Sequence, residues 1–189
     1  MTNSQEKWNK RWLEKARTAD RQVDPWLEKV FLLLPKGTAL DVACGIGRNA
    51  LFLAEKGFSV TALDVSETAL RLLNEAARQR HLTINTQQIN LESGALLPEG
   101  PFDLLLNFFF LHRPLLSQEL ARVRPGGVAV IRTISRVGAG QNEQVSAEMS
   151  LAAGELLEIF SGWKILLHEE GLEPSRKGGT LAGIVAQRL

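Results

Sequence analysis

One cysteine, Cys44, occurs in 189 residues, so an internal disulfide and a cysteine-built metal cluster are both excluded. An excess of one charge is missing as well. Twenty-two basic residues against 21 acidic ones leave a formal net charge of +1, which removes any broad electrostatic case for nucleic acid or a membrane surface as partner. The longest apolar stretches are residues 30–34 and 104–111, the latter broken by Asn107, and a bilayer needs about 20 apolar residues in a row. Residues 1–17 are polar and charged throughout, unlike a secretory leader. A cytoplasmic protein is expected. Repeats, low-complexity tracts and long Pro/Gly/Ser linkers are absent. With 44% apolar and 23% charged residues, the chain reads as one globular domain over residues 1–189.

What is present is an alternation of helix and strand patterns. Residues 1–35 read as two helices. One carries Trp8, Arg11 and Trp12; the other opens at Asp24-Pro25, an N-cap followed by the proline favoured at the first helical position. Strands are predicted at 38–42, 58–63, 82–89, 102–108, 128–134, 164–169 and 180–187, and helices at 47–56, after Ser66, at 115–123 and at 153–160. Gly57 stands where a left-handed C-cap is wanted. Ser66 caps a helix whose apolar stripe is Ala69, Leu72, Leu73, Ala76 and Ala77. Strands that alternate with helices imply right-handed crossovers. The expected fold is therefore Rossmann-like α/β, a mainly parallel seven-stranded sheet with helices on both faces. The last two strands are separated by a short Gly- and Pro-rich stretch without a helix, so they pair antiparallel.

The sharpest signal runs from Leu40 to Arg48, Leu-Asp-Val-Ala-Cys-Gly-Ile-Gly-Arg. It leaves a strand, passes two glycines and opens a helix. Such glycines allow a tight turn and a close approach of backbone to ligand. Asp64 ends the next strand, where a carboxylate accepts both hydroxyls of a ribose. Gly45, Gly47 and Ala50 also satisfy the looser dinucleotide form. Asp41 argues against that reading, because it would set an anion beside a pyrophosphate, whereas it favours a cationic ligand such as S-adenosylmethionine.

This segment resembles motif I of the class I S-adenosylmethionine-dependent methyltransferases. Asp64-Val65 resembles the family's ribose-binding motif, and Gln88 to Glu92 its adenine-contacting segment, with Asn90 where Asp is common. Phe102 to Asn107 resembles the fourth strand, and Arg124-Pro125-Gly126-Gly127 the turn before the fifth. The resemblance implies that Ala43, Gly45, Gly47, Arg48, Val65, Asn90, Leu91 and Asn107 contact the cofactor together with Asp41 and Asp64. The Trp8-x-x-Arg11-Trp12 helix, the run from Gly45 to Ala50 and Leu111-His112-Arg113-Pro114 are similar to the small tellurite-resistance and thiopurine-type methyltransferases.

Several residues admit two readings. Trp8 and Trp12 either pack on the core or fold over the cofactor as a lid of residues 1–35 on a core of 36–189, with Arg11 meeting the cofactor carboxylate. Cys44 reads as an inert packing residue. Phe108, Phe109 and Phe110 are core or the wall of an acceptor pocket. His112 and Arg113 follow the fourth strand and are the catalytic candidates, with His112 a base only for an acceptor that has a proton to lose. His81 and His168 are too scattered to form a metal site with it, and no metal is implied. Topology also brings Arg136, Arg176 and Lys177 to the same edge. They either select a small anionic acceptor, with tellurite or selenite favoured by the resemblance, or pair with Glu169, Glu170 or Glu173. The expectation is methyl transfer to a small molecule. Rival classes are a nicotinamide-dependent oxidoreductase and a cofactor-binding module without activity.

Overall fold

The computed structural model describes residues 3–16, 18, 21–138 and 145–189. Residues 1, 2, 17, 19 and 20 of the expected N-terminal helical segment lie outside that set. Seven strands form one sheet in the order β3-β2-β1-β4-β5-β7-β6. They are β1 (Thr38–Val42), β2 (Ser59–Asp64), β3 (Ile84–Gln88), β4 (Phe102–Phe108), β5 (Val123–Ser135), β6 (Lys164–Pro174) and β7 (Thr180–Gln187). Pairing is parallel from β3 through β5, while β7 runs antiparallel between β5 and β6. The Rossmann-like expectation is met. The helices are α1 (Asn3–Lys15), α2 (Pro25–Val30), α3 (Arg48–Glu55), α4 (Glu67–Gln79), α5 (Arg113–Ala121) and α6 (Glu155–Ile159).

Local chemistry explains the helix starts. The Asp24 carboxylate accepts from the Trp26 amide at 3.0 Å ahead of Pro25, and Ser66 Oγ accepts from the Ala69 amide at 3.1 Å. The stripe of α4 is buried as its spacing predicts. Burial on both faces splits the sheet into two apolar clusters. Leu104, Leu106 and Phe108 of β4 join Val128, Val130 and Val185 on one face; Leu105 joins Ala129, Ile131 and Ile184 on the other. Each of the Val, Leu, Ile and Phe side chains contributes about 1.5–3 kcal/mol on burial.

Two boundaries differ most from the sequence reading. The Arg124-Pro125-Gly126-Gly127 turn lies inside β5 as a bulge. Val123 pairs with Phe102, and pairing resumes at Leu104↔Val128. Arg124 Nε holds the Asp103 carboxylate at 2.6 Å, and a side chain on Gly127 would meet the Asp103 carbonyl oxygen at 2.9 Å, so glycine fits the bend. β6 continues to Pro174 rather than 169, because Glu173 and Pro174 still pair with Leu181 and Thr180 beyond a register shift at Gly171. The expected loop shrinks to residues 175–179. The helices after β4 and β5 are also displaced by one or two residues at their ends. α5 starts at Arg113, and α6 covers only Glu155–Ile159.

Candidate active site

The loop from β1 to α3 is curled by three left-handed residues, Ala43 at φ 55°, Gly45 at 57° and Gly47 at 74°. For Ala43 that conformation costs roughly 1–2 kcal/mol. The Cys44 amide bonding the Leu63 carbonyl at 2.8 Å and the Gly47 amide bonding Cys44 at 3.0 Å hold the curl. The two glycines serve different neighbours. A side chain on Gly45 would meet the Trp12 ring at 2.8 Å, and one on Gly47 would overlap the Leu73 side chain of α4. Gly47 is thus small for helix packing, Gly45 for the approach of α1.

Asp64 ties this loop to α4. One carboxylate oxygen accepts from the Gly45 amide at 2.7 Å, the other from the Ser66 amide at 2.8 Å. Burial raises its pKa, and those amides pull it back. Each oxygen keeps a second lone pair, so the stitching leaves acceptor capacity for a diol.

Asp41 is 2% exposed, and its Oδ2 has no hydrogen-bond partner among the described residues. Burial, and then the charge of Asp64, push its pKa up to about 7 against the opposing pull of Arg48. Two buried carboxyls thus stand at the carboxyl end of adjacent parallel strands, one with an unused oxygen. Burial and Asp64 raise the Cys44 thiol pKa well above its ordinary value, as expected of an inert packing residue.

α1 lies across this edge. Asn9 accepts from Ser66 Oγ at 2.7 Å and from the Thr68 amide at 3.2 Å, while Ser4 donates to Glu92 at 3.1 Å. Trp12 packs with Ile46, Ala69 and Leu72, and no residue of α1 is fully buried. The helix therefore covers the loop without being part of the core. The Arg11 guanidinium lies 4.7 Å from the Trp8 ring.

The other residues expected at the cofactor have neighbours of their own. Val65 is half-buried, and its carbonyl accepts from Gln88 at 3.2 Å. Asn90 is half-buried and turns its side-chain oxygen to the Glu92 amide at 3.1 Å. Leu91 is buried in the second apolar cluster. Asn107 is fully buried and donates to Glu119 of α5 at 2.9 Å, facing that helix. Burial raises the Glu119 pKa to about 7. Nothing in the sequence marks Glu119 except its place on the apolar face of α5, four residues after Leu115.

The three phenylalanines diverge. Phe108 packs on Trp26 with ring centroids 6.3 Å apart, and Phe110 packs against the second cluster. Phe109 turns outward at φ 60° and is 46% exposed. His112 stands half-buried at the N-cap position of α5 without a side-chain capping bond, its ring 6.4 Å from that of Phe110.

Arg113 departs from the catalytic expectation. It grips Glu155 through Nε at 2.6 Å and Nη2 at 2.9 Å, and reaches the carbonyls of Ala147 at 3.0 Å and Ser150 at 2.8 Å. Its fork is spent on the segment before α6. Arg136 reaches the Ser150 carbonyl at 3.4 Å, so it faces the same segment. Arg176 and Lys177 are exposed in the β6–β7 turn. Arg48 points to Asp24, Nη2 to Oδ2 at 2.6 Å, with its guanidinium 5.9 Å from the Phe109 ring. Sequence reasoning misses Arg132, whose one signal is a lone cation in an apolar strand. It is buried at the end of β5, with Nη1 3.6 Å from Asp24 and Nη2 bonded to Glu173.

Residues 39–127 match a family described as a methyltransferase domain. Over 144 residues the chain is 26% identical to the probable S-adenosyl-L-methionine-dependent methyltransferase TehB of Haemophilus influenzae, covering 70% of this chain and 48% of that protein. It is 30% identical over 104 residues to the ubiquinone biosynthesis O-methyltransferase of Caulobacter vibrioides, covering 52% of this chain and 41% of the relative. The chain thus spans about half the length of these curated relatives. The crystal structure of Haemophilus influenzae TehB superimposes with a TM-score of 0.77 at 21% identity, over 96% of this chain and 67% of that one.

Proposed function

With the resemblance to class I methyltransferases borne out by these comparisons, we propose that the chain transfers a methyl group from S-adenosylmethionine to a small-molecule nucleophile. The observation that carries this is Asp41, a buried carboxyl with an unused oxygen beneath the glycine loop and beside Asp64. A dinucleotide would bring its pyrophosphate to that loop and meet this acid. A cationic ligand is favoured there instead, and the residues fit it.

S-adenosylmethionine supplies an electrophilic methyl carbon on a sulfonium, whose charge disappears as the acceptor takes the methyl. Asp64 holds the ribose hydroxyls with its remaining lone pairs. Asp41 faces the positive end of the ligand, while the backbone of Ala43, Gly45 and Gly47 lines it. Val65, Asn90 and Leu91 bound the adenine side. α1 closes the site through Trp12, with Arg11 within the same cover; the expected lid of residues 1–35 narrows to this helix, because α2 belongs to the core through Trp26, Leu27 and Val30. Orientation in a dry site contributes roughly 7–11 kcal/mol to such a reaction. A dedicated base is needed only for a protic acceptor, and His112 is then the candidate. Arg113 and Asn107 support the site from behind, as their bonds to Glu155 and Glu119 require. An anionic acceptor such as tellurite or selenite is the preferred substrate class, from the tellurite-resistance-type resemblance.

The test is calorimetry with S-adenosylmethionine and with NADH, followed by isotope-labelled methyl transfer to small anions, thiols and amines. Binding of the first ligand alone and labelled product are expected. NADH binding would return the oxidoreductase reading, and cofactor binding without product would leave a non-catalytic module.

A further inference from the structure

Arg132 is 4% exposed near the carboxyl end of β5, opposite Phe108 of β4 and Gly183 of β7. A buried guanidinium is costly unless its donors are met. Here Nη2 donates to Glu173, and Nη1 stands 3.6 Å from Asp24, outside hydrogen-bond distance. Nε and Nη1 have no hydrogen-bond partner among the described residues. The Trp26 ring lies 5.2 Å from the guanidinium. From α3, Arg48 reaches the other oxygen of the same Asp24 at 2.6 Å. One buried carboxylate is therefore shared by two guanidiniums; further negative charge comes from Glu173, whose side chain is 60% exposed, and from Glu169, which accepts from Trp26 and Lys29 and feels the charge of Arg132.

The surroundings point to a ligand rather than a strut alone. Phe109 holds a left-handed backbone that a bulky residue rarely adopts, and its exposed ring borders Arg48; strain of this kind gathers at functional sites. The cluster lies at the carboxyl ends of β4 and β5, the edge at which open α/β sheets bind ligands. Resting on the methyltransferase reading, we infer that Arg132 and Arg48 bind the anionic group of the methyl acceptor, and that the Glu173 carboxylate holds its place until the acceptor displaces it. Arginine forks match carboxylates and oxyanions alike. An exposed glutamate is an easily displaced occupant, since such pairs contribute little.

The experiment measures binding of selenite and of benzoate by calorimetry to protein saturated with S-adenosylhomocysteine. Glu173→Ala and Glu173→Gln are expected to tighten one of the two anions about twofold to fivefold, the range an exposed competing ion pair covers. The anion that tightens distinguishes a chalcogen oxyanion from a carboxylate. Arg132→Gln is expected to weaken that anion by more than about tenfold. Should Arg132→Gln fail to fold, the two Glu173 variants decide, because that side chain is at the surface. Unchanged affinity for both anions in both Glu173 variants, with S-adenosylhomocysteine bound normally, overturns the inference and leaves a structural ion network. Failure of the wild-type protein to bind S-adenosylhomocysteine overturns the methyltransferase reading itself.

Discussion

Asp64 carries two tasks, and its substitution separates them. Asp64→Ala removes the acceptor for a ribose diol, so S-adenosylmethionine affinity is expected to fall by roughly 2–3 kcal/mol, measured by calorimetry. It also frees the buried Gly45 and Ser66 amides that the carboxylate now satisfies. A stability loss of about 1–3 kcal/mol in denaturant titration accompanies it, a cost the strand-end position alone does not reveal. Gly47 behaves differently. Its φ of 74° and the Leu73 methyl group that any added side chain would overlap combine left-handed strain with overpacking. Gly47→Ala is expected to destabilise the fold by about 2–5 kcal/mol; a midpoint equal to wild type would contradict the packing argument. Asp41, with its pKa near 7, is protonated below neutrality in the free protein. A cationic ligand favours its ionised form, so binding releases up to one proton around pH 7 and tightens as pH rises from 6 to 8. Calorimetry in buffers of different ionisation enthalpy reads that proton, and Asp41→Asn should abolish the release.

Among the elements, α1 and the segment before α6 hold the conditional contacts. α1 rests on the glycine loop through Trp12 and on α4 through Asn9, with no fully buried residue of its own. Elements with so little buried surface open readily. Hydrogen exchange in residues 3–16 is expected to slow when S-adenosylhomocysteine is added, and Trp12→Ala should remove the difference. Equal exchange with and without ligand would reduce α1 to a fixed strut. Arg113 binds the segment before α6 through Glu155 and the carbonyls of Ala147 and Ser150. Arg113→Ala should accelerate exchange around residues 147–155 while leaving S-adenosylhomocysteine affinity within about twofold of wild type, as loss of a remote, partly exposed ion pair does.

Across the whole molecule, Asp41 and Glu119 act on stability in the same direction. Both folded-state pKa values are raised to about 7 from ordinary values of 3.8 and 4.5. Between those limits the native state binds more protons than the unfolded chain, so stability falls as pH rises from about 4 to 7 and is level above. The ligand-free protein is therefore expected to have a lower denaturant midpoint at pH 8 than at pH 5.5. Glu119→Gln, which keeps the bond to Asn107 possible, should flatten part of that slope, and Asp41→Asn another part. A midpoint independent of pH in this window would count against both burials.

The amino-acid sequence by itself determined the order of strands and helices, the glycine loop and the acid at the end of β2. These rest on local causes: period-two and period-3.6 apolar patterns, Asp24 and Ser66 as caps, and glycines at left-handed positions. It also determined the acidic character of the site through Asp41, because strand β1 carries that residue to the loop whatever packs around it. Tertiary structure alone decided which partner each arginine finds. Arg113 finds Glu155, 42 residues away, and Arg132 finds Glu173, 41 residues away. An arginine in sequence shows a charge but not its partner, and the partner decides whether the guanidinium is a clamp or a receptor. The burial of Asn107 against Glu119 and the seating of Trp12 on Gly45 belong to the same class. Each depends on how helices dock across the sheet, which no window of neighbouring residues records.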